Sequence, residues 1–301
     1  MKEKTNSEYI NTLLKKELVK WLPKQSIIQT AVDGLALTRF DESSHPESCF
    51  YQPMIAVVVQ GWKYALIGNK EYSYGEGSCM VVGVDMPGVY HITKDRKGHS
   101  FLSVAIKLDK YIITQLLTEV PQLAGKSVSS PGAIVVSKVS DEILDAFLRL
   151  VKLLDNPTHI PILSPMIIRE IHFYLLVSSL GDYLRMANTI GTQTNQIALA
   201  INWLRGHYME GLQVEDLARM VNMAPSTFHR HFQQLTTLSP LQFQKHLRLY
   251  EAKRLMALEG KNASTAAIDV GYNSVSQFNR EYKRQFGKPP LQNISKKRVT
   301  V

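Results

Sequence analysis

Phe228-His-Arg230-His-Phe232 and Phe278-Asn-Arg280-Glu-Tyr282 each set an arginine midway between two aromatic residues. An arginine carries a permanent charge and a planar fork of donors. It can grip a phosphate, or bond a guanine edge through two parallel hydrogen bonds. On a helix two residues turn the chain by about 200°, so each arginine points away from the aromatic face. Each segment is followed at the same distance by Pro-Leu-Gln, at Pro240-Leu241-Gln242 and Pro290-Leu291-Gln292, and every matched pair lies 50 positions apart. A repeat with two copies points to a duplicated module, not a solenoid. One surface arginine would need no explanation; the same arginine at the same place in two copies does.

The residues ahead of each segment show what must hold it. Val214, Leu217, Ala218 and Val221 recur at helical spacing, as do Ala263, Ala266, Ala267 and Val270 in the second copy. Short helices are predicted there. Asn222-Met-Ala-Pro225 and Gly271-Tyr-Asn273-Ser274 carry turn chemistry, with Gly271 at a helix stop position. The matched helices follow, burying Phe228, Phe232 and Leu235 in the first copy and Phe278, Tyr282 and Phe286 in the second. Helix, tight turn, helix is the layout whose second helix enters the major groove of DNA. Between the copies a helix is predicted from about Pro240 to Leu258, with Leu249, Ala252 and Met256 on its packing face. At about 1.5 Å per residue it spans about 28 Å, close to one turn of the duplex. A further helix, about Gln196 to Met209, carries Ile197, Ile201, Leu204 and Tyr208, and Gly206 interrupts it at a cost of roughly 1 kcal/mol.

From Ala267 through Gly271-Tyr272, Phe278-Asn-Arg280-Glu-Tyr282 and Phe286-Gly287-Lys-Pro-Pro290, the second copy resembles the signature of AraC/XylS-type regulators almost position by position. The resemblance runs from Gln196 to about Gln292. It implies an all-helical double helix-turn-helix domain and double-stranded DNA as partner. Carried over by position, the base-facing candidates are Ser226, His229 and Arg230 in the first copy, and Val275, Ser276, Asn279 and Arg280 in the second. Lys288 and the arginines flanking the readers are phosphate candidates, which would position the protein without specifying sequence. The first copy departs from the family at Thr236-Thr-Leu-Ser239, which lacks the frequent glycine. It departs again at Ala224, where a capping Ser or Thr is frequent, leaving Ser226 as an alternative cap.

Charge follows the same division. From Gln196 onward there are 15 Lys and Arg against 7 Asp and Glu, while the preceding residues hold 20 against 19. A near-neutral part is thus joined to a basic one, and basic domains gain affinity for polyanions by releasing counterions. The length of 301 residues allows two domains. No apolar run reaches the length of a membrane span, and Met1 to Lys20 lacks the pattern of a secretory signal, so a cytoplasmic protein is expected. Cys49 and Cys79 form no disulfide framework and are expected as thiols.

From Tyr51 to Leu108 the pattern changes to short apolar runs: Met54 to Val59, Trp62 to Ile67, Ser78 to Val82 and Phe101 to Ile106. Turn signals fall at Gly68-Asn69, Gly75-Glu-Gly77 and Pro87-Gly88. Regularly spaced short strands predict a β-barrel or sandwich. Gln60-Gly61-x-Lys63, Tyr74-Gly75-Glu-Gly77 and Val84-Asp85-Met-Pro87 resemble the cupin-like N-terminal domain of one subgroup of these regulators, which implies a jelly-roll barrel that binds an effector. Trp62, Tyr64, Tyr72, Cys79, Tyr90 and His91 are the candidate lining residues, each also readable as core filling. No HxH pair exists in the strand region, whose only histidines are His91 and His99, so no metal and no cofactor is expected. A thiol at Cys49 or Cys79 that reacts with an aldehyde or oxidant is a second idea, and would need a lowered pKa.

Asp109 to Leu184 reads as helical, with stripes at Ile143, Phe147, Leu150 and Leu154 and an apolar stretch from Pro165 to Leu180. Their excess apolar surface would pack on the barrel or form a homodimer seam. The expected organisation is a sensing domain with an N-terminal helix over 1–110, a helical connector over 111–187, a linker over 188–195 and the DNA-binding domain over 196–295. The fold class is α+β multidomain. The function this implies is a sequence-specific transcription regulator under effector control, altering DNA occupancy or contact with RNA polymerase, with activation the commoner mode in that family. A DNA-repair methyl acceptor would need a cysteine metal cluster, and a DNA-tethered cupin enzyme a metal motif. Neither is present, nor is a nucleophilic triad or phosphate loop, and no enzyme is expected.

Overall fold

The computed structural model describes residues 5–68, 70–123 and 132–295. The chain forms two compact units, Met1–Asn195 and Gln196–Val301.

The first unit opens with α1 (Asn6–Trp21), started by a reciprocal capping box between Thr5 and Glu8. Its strands are β1 (Ser26–Gln29), β2 (Leu35–Phe40), β3 (Glu47–Tyr51), β4 (Met54–Gln60), β5 (Trp62–Ile67), β6 (Lys70–Gly75), β7 (Ser78–Val82), β8 (Met86–Thr93), β9 (Phe101–Lys107) and β10 (Ile134–Lys138). They make two antiparallel sheets, ordered β1-β2-β9-β4-β7-β10 and β3-β8-β5-β6. The sheets do not close into a cylinder; a double-sheet jelly roll describes them. The four predicted runs are β4, β5, β7 and β9.

Two local expectations differ. Pro87-Gly88 makes no turn but lies inside β8, opposite Phe50 and Cys49. A Cβ on Gly88 would sit 2.9 Å from the Tyr51 ring, so this glycine serves close approach. Gly68 takes φ 62 as a turn residue, whereas Asn69 lies outside the described residues. Within the stretch read as helical, the β-branched run Ile134-Val-Val136 instead pairs with β7 and extends the larger sheet.

The helices there are α2 (Lys110–Glu119), α3 (Asp141–Leu153), α4 (Ile160–Val177) and α5 (Asp182–Ala187). α4 begins at Ile160 and carries Pro165 inside. Contrary to expectation, Pro157–Val177 is long and apolar enough to cross a membrane by length and composition. Part of its apolar surface is covered within the unit: Ile171, Leu175 and Leu176 are fully buried, and Arg149 of α3 pairs with Glu170 at 2.7 Å. The Thr-rich stretch read as linker is bonded onto the end of α5. Asn188 Nδ2 donates to the Leu184 carbonyl at 2.7 Å, and Asn195 Nδ2 to that of Ala187 at 2.7 Å.

The second unit is helical: α6 (Gln193–Gly206, begun just before the unit boundary), α7 (Val214–Met220), α8 (Pro225–Thr236), α9 (Pro240–Leu258), α10 (Ala263–Asp269), α11 (Val275–Phe286) and α12 (Pro290–Ser295). Gly206 ends α6 instead of interrupting a longer helix. α9 has the bounds expected from sequence and starts with a Ser239–Gln242 capping box and Pro240 in its first turn.

Candidate nucleic-acid interface and sandwich interior

The duplication is carried into backbone geometry. After α7, Asn222 takes φ 55 and the Met223 N–H bonds the Ala218 carbonyl at 2.9 Å. After α10, Gly271 takes φ 85 and the Tyr272 N–H bonds the Ala267 carbonyl at 2.9 Å. Both are the same left-handed helix stop, and asparagine is the side chain that best tolerates it after glycine. The reader helices α8 and α11 are each 12 residues long. Each ends in a left-handed residue, Thr237 at φ 63 and Gly287 at φ 74. Threonine thus holds the conformation for which the second copy uses glycine, which is strained for a β-branched residue. The buried Thr236 hydroxyl, donating to the Phe232 carbonyl at 2.8 Å and accepting from the Leu238 N–H at 3.2 Å, secures this corner.

Each reader is anchored by aromatics. Phe228 and Phe232, and Phe278 and Tyr282, are fully buried. Truncating any of the phenylalanines to alanine would cost about 3–5 kcal/mol. Phe232 meets Phe243 of α9 edge-on at 5.5 Å, and Tyr282 lies tilted against Phe286 at 4.4 Å. Leu235 and Phe286, expected as core, are only half-buried.

With those faces turned inward, Ser226, His229 and Arg230 are exposed on α8, and Ser276, Asn279 and Arg280 on α11. Among the described residues neither arginine has an ion-pair partner. Lys288 is exposed just after α11. Val275 is placed differently: it is half-buried and packs on the second copy's core. Ser226 does not cap α8; its N-cap is Ala224, without a side-chain bond, whereas Ser274 caps α11 by accepting from the Gln277 N–H at 3.3 Å.

Sequence reasoning missed what fixes the two readers together. Arg248 of α9 donates to the carbonyls of Tyr208 at 2.6 Å and Glu210 at 2.8 Å, both ahead of the first copy, and of Gly271 at 2.9 Å in the second copy's turn. Gln244 adds a bond to the Glu210 carbonyl at 2.8 Å. The backbones also touch: a Cβ on Gly271 would lie 2.3 Å from the Met209 carbonyl oxygen. Lys245 reaches the buried Glu281 of α11 at 2.9 Å, and Tyr272 Oη donates to the same carboxylate at 2.8 Å. Burial pushes the Glu281 carboxyl up, but the bonds from Lys245, Tyr272 and Gln277 outweigh it and hold the group below the usual glutamate range. No local signal marks these contacts, because the partners are backbone carbonyls far along the chain.

In the first unit, strand alternation sorts the candidate lining residues. Tyr72, Cys79 and Tyr90 face the space between the sheets. Trp62 (40% exposed) and Tyr64 (36% exposed) lie on the outer face, where Tyr64 stacks on His91 at 4.6 Å. Trp62, Tyr64 and His91 therefore do not line the interior. Cys79 is fully buried, and burial pushes its thiol up to about 12. Among the described residues no group of three or more His, Cys, Asp or Glu could hold a metal.

Paired reader helices on a common linker, in a chain that also carries a jelly-roll unit, define a two-part DNA-binding regulator. Comparisons with known proteins agree. The profile described as "AraC-type transcriptional regulator N-terminus" matches residues 31–183, and that of a helix-turn-helix domain matches residues 217–294. The chain belongs to the AraC-type transcriptional regulators. It is 24% identical over 216 residues to the thermoregulatory protein LcrF of Yersinia pestis, covering 71% of this chain and 72% of that protein. It is 21% identical over 266 residues to the transcriptional activator RhaS of Klebsiella pneumoniae, covering 84% and 88%. Among solved structures, ToxT from Vibrio cholerae aligns at a TM-score of 0.59 and 11% identity, covering 86% of this chain and 97% of that one, which speaks for the fold.

Proposed function

We propose that this regulator reads a two-part operator with α8 and α11. Ser226, His229 and Arg230, with Ser276, Asn279 and Arg280, contact bases or adjacent phosphates, Val275 offers apolar contact at the edge of its core, and Lys288 grips a phosphate. The observation that carries this reading is the identical placement of Arg230 and Arg280, both exposed and without an ion-pair partner among the described residues. The test is a genomic-fragment binding selection at a stated salt concentration with wild type and an Arg230→Ala/Arg280→Ala variant. Discrete sites recovered by wild type and lost or relaxed in the variant are expected. Recovery without sequence preference by both proteins would refute the reading.

We also propose that a small-molecule effector held between the sheets controls occupancy through a two-state equilibrium. ToxT, whose fold this chain shares, has been solved with an unsaturated fatty acid bound. Activation is supported by the relatives described as activators, and contact with RNA polymerase is the route proposed for it. Regulation in the cytoplasm, not catalysis, is the proposed role. A homodimer seam along α4 is supported by Ile162 (69% exposed) and Met166 (64% exposed). Met166 lies beside Arg149, Lys152 and Glu170, a mixed set of charges that a second copy could pair across a two-fold axis. A monomeric mass in light scattering at micromolar concentration would refute this.

A further inference from the structure

Lys63 lies on the wrong phase of its strand for a charged residue. Along β5, Trp62, Tyr64 and Leu66 are exposed, while Ala65 and Ile67 are buried. Lys63 shares the buried phase, so its side chain enters the sandwich. Its Nζ lies 4.9 Å from the Tyr90 ring centre and 5.4 Å from that of Tyr51. Register puts Cys49 and Tyr51 of β3, Tyr72 and Tyr74 of β6 and Tyr90 of β8 on the same inner face.

This cluster has buried polar groups without partners; the one carboxylate that register places on its face, Glu47 opposite Tyr90, is exposed at the rim and makes no ion pair with Lys63 among the described residues. The hydroxyls of Tyr51 and Tyr74 are buried and make no conventional hydrogen bond; the Tyr51 hydroxyl leans on the Cys49 thiol. No carboxylate pairs with the Lys63 ammonium among the described residues, and burial pushes its pKa below the ordinary lysine value. The rings give it only a cation–π environment. A half-buried ammonium without a counter-ion is costly, and such groups are kept where they have a partner to meet. The cluster is also not sealed from solvent. Cys49, Lys63, Tyr72 and Tyr90 point between the sheets yet all keep water-accessible surface. Accessible surface on inward-pointing side chains marks a space that a small molecule's head can enter. The opposite wall is apolar, with Val57 of β4, Cys79 of β7 and Val104 of β9 in register and fully buried.

Resting on the effector reading above, we infer that the sandwich binds a monocarboxylate, its head held by Lys63 with donation from the surrounding tyrosine hydroxyls and its apolar body against the larger sheet. A carboxylate supplies what the cluster lacks: one negative charge and two acceptor oxygens. A neutral sugar or alcohol would leave the ammonium unpaired, and a cation would be repelled by it.

The test uses the full chain. Straight-chain monocarboxylates from acetate to dodecanoate, and benzoate, are compared by thermal shift and calorimetry with their primary amides, which keep the shape and drop the charge, at fixed ionic strength. At least one carboxylate is expected to bind tenfold or more tighter than its amide. Lys63→Met should lose that preference, melt at or above the wild-type temperature, and keep effector-free DNA binding. Lys63→Arg should retain the preference. Three results would overturn the assignment: no shift from any carboxylate, equal binding of amides, or a Lys63→Met protein that melts well below wild type because the ammonium is structural. Carboxylate binding through Lys63 that leaves DNA occupancy unchanged would uphold the site and remove the effector-control reading instead.

Discussion

Replacing Arg248 by methionine keeps an unbranched, helix-favouring side chain and removes every contact the guanidinium makes. Three donors are lost, to the carbonyls of Tyr208, Glu210 and Gly271. A hydrogen bond to a charged group contributes about 1.5–3 kcal/mol when buried. Arg248 is half-buried, and the Gln244 bond and the Gly271–Met209 contact remain, so a total loss of about 2–4 kcal/mol is expected. That loss falls on the joint between the readers and not on either reader. Two linked binding modules gain about 10²–10⁴-fold when geometry lets both engage, and loosening the joint should forfeit about 10- to 100-fold of this. Fluorescence anisotropy of the full chain on duplexes with both half-sites, and with one, measures the difference. Two-site affinity should fall by that factor, while single-site affinity changes by less than about threefold. Because Arg248 is turned onto carbonyls, the slope of log affinity against log salt should match wild type. A slope smaller by about 0.9, one phosphate's worth, or an equal loss on single sites, would refute the reasoning and make Arg248 a DNA contact.

Other outcomes follow from the same geometry. Thr237→Gly should stabilise the DNA-binding unit by about 1 kcal/mol in denaturant titration, because glycine adopts the left-handed corner without steric cost. Burial, reinforced by the charges of Lys245 and Arg284, holds His246 down to about 4. The unfolded chain therefore takes up a proton below the ordinary histidine value near 6.5 that the folded chain refuses. The stability His246 contributes is present above pH 6.5 and lost as pH falls toward 4, by about 1–2 kcal/mol after allowing for its partial solvent exposure, and His246→Gln should flatten this slope. Alkylation of the native protein followed by mass spectrometry should label Cys49 and spare Cys79, whose thiol is fully buried and shifted to about 12. Labelling of Cys79 at a comparable rate would contradict the closed packing of β7.

The sequence alone determined the DNA-reading unit closely. The 50-residue register of the repeat, the aromatic anchors and the outward arginines all follow from helical periodicity, which is local: once Phe228 faces the core, the backbone decides where Arg230 points. The bounds of α9 were legible for the same reason, since Ser239, Pro240 and Gln242 carry its start. Sheet residues were less legible. Alternation says that Trp62 and Tyr64 share a face and that Lys63 and Ala65 share the other, but which face is inside depends on the sheet stacked against them. Hence Tyr72, Cys79 and Tyr90 face the space between the sheets, whereas Trp62, Tyr64 and His91 lie on the outer face. Lys63 went unnoticed as an interior residue although its phase was readable. β10 read as part of a helical stretch because a β-branched run becomes a strand only when an edge such as β7 is there to pair with it. The Arg248 joint lies furthest from the sequence. Its partners are main-chain carbonyls, which every residue carries, and only the tertiary approach of Tyr208, Glu210 and Gly271 selects those three.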